Sequence, residues 1–137
     1  MATAEVTYLG ELRTECKHVQ SGTVIHTDAP TDNNGKGETF SPTDLVATAY
    51  VSCMLTIIGI YCNEHGYHFS KGIGSVTKIM ESSPRRIGKL VIALDLRGNG
   101  WDAQTGEKVA RAAKACPVAK SVDSGIEIEL AIQLDGE

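Results

Sequence analysis

Four cysteines, at positions 16, 53, 62 and 116, are the side chains of this sequence best suited to chemistry. A thiolate is a nucleophile and a metal ligand, whereas a buried thiol behaves as a small apolar group, so surroundings decide what each can do. The spacings contain no CxxC pair, and the opening MATAEVTYLG has neither the basic start nor the apolar run of a secretory signal. The cysteines are therefore not read as a disulfide framework, and a reducing, cytoplasmic setting is expected.

Cys53 falls in the middle of the apolar stretch Leu45 to Cys62. Two readings stay open for it: a small core residue, or a nucleophile, which would require a nearby cation or base to hold the thiolate. Cys116 precedes Pro117. Pro disfavours helical geometry in the residue before it and suits the first position of a new helix. A short turn through Val118–Lys120 would then place this thiol at a helix start, where thiolate is favoured; packing at the end of the preceding helix is the alternative. Cys62 is nine residues after Cys53, half a turn out of phase, so the two thiols point to opposite sides of one helix. Cys62 is read as packing, and Cys16, on a strand near Lys17 and His18, as incidental. Cys62, His65 and His68 read C-x2-H-x2-H, which matches no common zinc module, and no metal is expected. GIG and GNG lack the rest of a phosphate-binding fingerprint, and no G-x-S-x-G elbow is present.

The elements that must position these thiols follow from periodicity. Ala4–Leu9, Leu12–His18 and Thr23–Thr27 read as strands separated by turn-like breaks. Residues 28–40, DAPTDNNGKGETF, read as a loop. Ser41-Pro42-Thr43-Asp44 is a helix start with a capping residue, an N-terminal proline and an acid at the capping-box position. The helix is expected to run to about Glu64 with Gly66 as its stop. It is apolar on nearly every face, the pattern of a helix enclosed by other structure. It lacks the flanking basic residues and aromatic belt of a membrane span, so no membrane is expected as a partner. Phe69–Glu81 and Ile87–Arg97 read as paired strands, the second with Leu90, Ile92, Leu94 and Leu96 alternating onto one face. A second helix opens at Asp102 or Thr105 and packs through Val109, Ala110, Ala113 and Cys116. Ile126 to Leu134 alternate as a closing strand. Strands, helix, strand pair, helix, strand is an α+β order.

Composition bounds the partners. A chain of 137 residues, 42% hydrophobic and 22% charged, fits one soluble domain over 1–137 with a real core, and aromatics at 5% make that core aliphatic. A net charge of -4 and a pI of about 5.5 do not suit nucleic acid. Lys108, Arg111, Lys114 and Lys120 read as the wet face of a helix.

Two segments carry a resemblance. GKGETFSPTDLVATAYVSCM (Gly35–Met54) resembles the OsmC/Ohr family: a loop, a Pro-led helix start and a cysteine about ten residues inside the central helix. ARAAKACPVAKSV (Ala110–Val122) resembles that family's second cysteine motif. The resemblance implies an α+β fold with sheets wrapped around a long central helix, an intertwined homodimer and reduction of organic hydroperoxides in oxidative or osmotic stress. It implies Cys53 as peroxidatic thiol, Cys116 as resolving thiol, an external dithiol as reductant and no cofactor. A non-catalytic small-molecule-binding or structural dimer is the alternative. Family peroxidases add an early-strand Arg, best matched by Arg13, and a Glu directly after the helix-opening Pro. Here Thr43 occupies that Glu position, and Glu38 and Asp44 are the acids nearby.

Overall fold

The computed structural model describes residues 1–122 and 125–136. The chain divides into two compact units, Met1–Val46 and Ala47–Glu137.

In the first unit, β1 (Ala4–Gly10), β2 (Arg13–His18) and β3 (Val24–Asp28) form an antiparallel sheet in the order β1-β2-β3. The register sets Arg13 opposite Asp28 and aligns Val6, Cys16 and Ile25 in one row. Asp28 thus ends a strand rather than opening the loop. Its backbone pairing continues because its N–H donates to the Phe40 carbonyl at 3.1 Å. Beyond it the chain makes one 3-10 turn, Thr31–Asn33.

Ser41 and Asp44 form the anticipated capping box at the start of α1 (Pro42–His65). Ser41 Oγ accepts the Asp44 N–H at 3.0 Å, and Asp44 Oδ2 accepts the Ser41 N–H at 3.0 Å. At the other end Gly66 adopts φ 70° and Tyr67 donates its N–H to the Cys62 carbonyl at 2.9 Å. That closure requires a left-handed residue, which glycine supplies without steric cost. By length and composition alone α1 could cross a membrane, but it carries the buried stripe of a core helix: Ala47, Tyr50, Val51, Met54, Ile58 and Cys62. The opposite face, with Ala49, Ser52, Thr56 and Ile60, stays open in the single chain. Enclosure on every side is therefore not achieved by one chain.

The second unit holds β4 (Ile73–Glu81), β5 (Arg86–Asp95), α2 (Ala103–Ala113), α3 (Pro117–Ser121) and β6 (Glu127–Gln133). β4 runs antiparallel to β5 and β6 parallel to it. Leu90, Ile92, Leu94 and Leu96 are buried as their alternation requires. β4 comes so close to α1 at Gly74 that a Cβ there would sit 2.4 Å from the Val51 side chain. β4 starts at Ile73, not Phe69, because the preceding backbone has another partner. Asn99 Oδ1 accepts the N–H groups of Ser70 and Lys71 at 3.0 and 3.1 Å, and Asn99 Nδ2 donates to the carbonyls of Lys71 and Leu96. β5 stops at Asp95, whose carboxylate turns back to accept the Arg97 N–H at 3.1 Å.

Candidate redox site

In the second unit, α1 presents Cys53 and the α2–α3 junction presents Cys116. Cys116 lies outside α2. It is the N-cap of α3, with extended backbone (φ -70°, ψ 138°), and its Sγ accepts the Ala119 N–H at 3.3 Å. Pro117 opens α3, as the Cys-Pro pair predicts. The two thiols are neighbours, close enough for Cys53 to raise the Cys116 thiol. Their exposures differ, Cys53 being half-buried and Cys116 fully buried. Burial pushes the Cys116 thiol above its ordinary pKa. The Ala119 N–H works against that rise, contact with Cys53 adds to it, and the Val118 N–H again opposes. A half-buried thiol beside a protonated, buried one is a geometry in which the first can meet a solute and the second can capture the product.

Two features of this unit were not read from the sequence. Tyr50 is three residues before Cys53, about one turn away on α1, and is only 7% exposed. Burial raises its phenol pKa, and the charge of Cys116 raises it further. The signal for it was the i, i+3 spacing to Cys53. On the Cys53 flank of α1, an open groove of about 460 Å³ is lined by Ile57, Ile60, Ala112 and Ala115, with Lys108 and Arg111 also in its wall.

Cys62 is fully buried, and its thiol is pushed up by burial. His65 Nδ1 lies 2.9 Å from the Tyr61 carbonyl and His68 Nε2 3.0 Å from Ser70 Oγ. Among the described residues no group of three or more His, Cys, Asp or Glu could hold a metal. Cys16 is half-buried on β2, 3.7 Å from Thr14 Oγ1.

In the first unit, Arg13 is 30% exposed and holds two carboxylates. Its Nε and Nη2 donate to Asp28 Oδ1 and Oδ2 at 2.7 and 2.8 Å, a bidentate fork. Nη2 also donates to Glu38 Oε1 at 2.7 Å. The Glu38 N–H donates to Asp28 Oδ2 at 3.1 Å. Asp28 is fully buried, and the Arg13 fork holds its carboxyl below the usual range against the opposing effect of burial. The same two carboxylates, Asp28 first, raise the Arg13 guanidinium. Glu38 was one of the two acids considered in place of the family's Glu, and it pairs with Arg13; Asp44 caps α1, as its position predicted. Asp28 was missed. Counting outward from the turn between β2 and β3 would have found it, since that register places Arg13 and Asp28 opposite each other.

Comparison with known proteins agrees on the fold. The OsmC-like protein family model matches residues 35–131. A crystal structure from Psychrobacter arcticus 273-4, provisionally named an osmotic stress induced and detoxification response protein, is 45% identical. It superposes with a TM-score of 0.91 over 97% of this chain and 96% of that one. An organic hydroperoxide resistance protein from Legionella pneumophila shares the fold at 19% identity, TM-score 0.73, covering 97% of this chain and 98% of that one. The organic hydroperoxide resistance protein of Bacillus subtilis does so at 19% identity, TM-score 0.67, covering 96% and 98%. No curated protein sequence matches the chain. With its central helix, two small sheets and a family match spanning both cysteine motifs, this chain belongs to the OsmC family.

Proposed function

We propose that the protein is a single-domain, cytoplasmic thiol peroxidase that reduces organic hydroperoxides, working as a homodimer and without a cofactor. The observation that carries this reading is the contact between two thiols of unequal exposure, Cys53 and Cys116. A Cys53 thiolate attacks the outer peroxide oxygen, the O–O bond breaks, and the alkoxide leaves and takes up a proton as the alcohol. Cys53 is then a sulfenic acid. Cys116 attacks its sulfur, expelling water and forming the Cys53–Cys116 disulfide. An external dithiol returns both thiols and is itself oxidised to a disulfide. The family resemblance assigns Arg13 as the cation that favours the Cys53 thiolate. The groove bordered by Ile57 and Ile60 supports apolar hydroperoxides over hydrogen peroxide as substrates.

Two open surfaces support the homodimer. In the first unit Val6 is 62% and Ile25 46% exposed. In the second, the open face of α1 is small-sided, with Ala49, Ser52 and Thr56, which suits close approach of another helix. Exposed apolar side chains such as Val6 and Ile25 suit an interaction site.

Thr43, standing where family peroxidases carry Glu, favours one alternative: a dimer that binds small molecules without turnover. Steady-state consumption of cumene hydroperoxide with dithiothreitol separates the two. The peroxidase reading expects turnover by the wild type and none by Cys53→Ser. Equal rates in both proteins would overturn it.

A further inference from the structure

We propose that Arg111 and Lys108 make the groove between α1 and α2 selective for ligands with a carboxylate tail. An apolar chain lies along Ile57 and Ile60, with its carboxylate on the two cations and its other end at Cys53. The inference rests on the proposed function for what that other end is, a hydroperoxide; the binding itself is measurable without turnover.

Helical spacing builds the groove. Ile57, Ile60 and Glu64 follow Cys53 at i+4, i+7 and i+11, which puts all four on one stripe of α1. The facing wall comes from α2 and the residues just after it: Lys108, Arg111, Ala112 and Ala115. Ala115 immediately precedes Cys116, and Cys116 neighbours Cys53. The groove therefore has a thiol end at Ile57 and Ala115 and a charged end at Glu64 and Lys108. From Ile57 to Glu64 is two turns of helix, about 10 Å, which suits a chain rather than a compact solute.

The lining favours one chemistry. Ile57, Ala112 and Ala115 bring no polar side-chain atom, and Ile60 is 47% exposed, leaving apolar surface for a chain to cover. Apolar walls with a few charged groups gathered at one place are the make-up of a small-molecule site. Arg111 and Lys108 stand at i and i+3 on one face of α2. Among the described residues neither of them makes an ion pair. Two cations against the single carboxylate of Glu64 leave one positive charge in excess, which matches a monoanion. The planar guanidinium fork of Arg111 fits a carboxylate in particular.

The test uses a chain without a peroxide. Decanoate and 1-decanol are titrated calorimetrically into wild type, Arg111→Glu, Lys108→Glu and Lys114→Glu. Lys114 borders a separate cavity of about 570 Å³ with Tyr50 and Ile128, and is the competing cation. The wild type is expected to bind decanoate more tightly than 1-decanol. Arg111→Glu and Lys108→Glu should each weaken decanoate roughly tenfold, the effect of losing one hydrogen bond between charged groups, and leave 1-decanol unchanged, which also shows that they are folded. Lys114→Glu should alter neither. Bound decanoate should slow alkylation of Cys53 by N-ethylmaleimide, followed by peptide mapping. Equal affinity of the wild type for both chains, weakening confined to Lys114→Glu, or unslowed alkylation of Cys53 under saturating decanoate overturns the inference. So does a groove filled by a second copy of the chain, seen as no decanoate binding together with a lower sedimenting mass for Arg111→Glu. Failure of the redox reading shows differently, as decanoate binding intact without hydroperoxide turnover.

Discussion

The two sheets differ in what they bury. The β4-β5-β6 sheet of the second unit closes on its own aliphatic face through Leu90, Ile92 and Leu94. The β1-β2-β3 sheet buries Thr27 and Asp28, both polar, and leaves Val6, Tyr8 and Ile25 exposed. Hydrophobic burial scales with apolar area removed from water. One sheet obtains it within the chain, while the other holds its end together with the Arg13–Asp28–Glu38 ion cluster and offers its apolar side chains outward. The thiol pair belongs to the unit that holds the aliphatic core, so its geometry rests on packed neighbours. The charge cluster belongs to the unit whose apolar side chains Val6, Tyr8 and Ile25 are exposed.

The largest expected effect sharpens that contrast from the packed side. Leu90→Ala should lower unfolding free energy by about 2–5 kcal/mol, measured by denaturant titration, because Leu90 is fully buried in mid-strand. Ile25→Lys removes no buried contact of comparable kind, so the chain's fold should persist. Its effect should appear in association: sedimentation should fall from twice 14.6 kDa to once. An unchanged mass would break the idea that the open sheet face is an interface.

Acid provides a third comparison. The Asp28 carboxyl is depressed by Arg13, and Asp95 is depressed to about 2 by the Arg97 side chain. A group whose folded pKa lies below its unfolded value adds stability that is complete above the unfolded value and is lost as pH falls toward the folded one. Both contributions should therefore disappear below about pH 4, the ordinary carboxylate range. Asp28→Asn should flatten the fall in melting temperature between about pH 4 and 2, whereas an unaltered slope would deny the cluster its role. The smallest effect is Ser41→Ala. It removes one half of the α1 capping box and should cost about 1 kcal/mol.

Much of this was legible in the sequence, for identifiable reasons. The α1 cap, its Gly66 stop and the buried alternation of β5 are local devices, each written in adjacent residues. The short α3 with Cys116 at its start was one of the two readings that Cys-Pro left open. Asp28 was hidden because its role depends on strand register, and within a Gly-, Asn- and Asp-rich run it resembles a loop residue. The late start of β4 was hidden because Asn99, about thirty residues away in sequence and in no strand, takes the backbone donors. The enclosure of α1 was only half legible: the stripe from Ala47 to Cys62 is buried as its apolar pattern requires, while the face with Ala49, Ser52 and Thr56 is open. The proximity of Cys53 and Cys116 is long-range, and only the family resemblance pointed to it.

The most direct test of the redox reading is a free-thiol count, with peptide mapping, after one equivalent of cumene hydroperoxide. The account predicts that the wild type loses two of its four thiols to a Cys53–Cys116 disulfide, that Cys53→Ser loses none, and that Cys116→Ser stops at a sulfenic acid on Cys53. Retention of all thiols by all three proteins over minutes would contradict it.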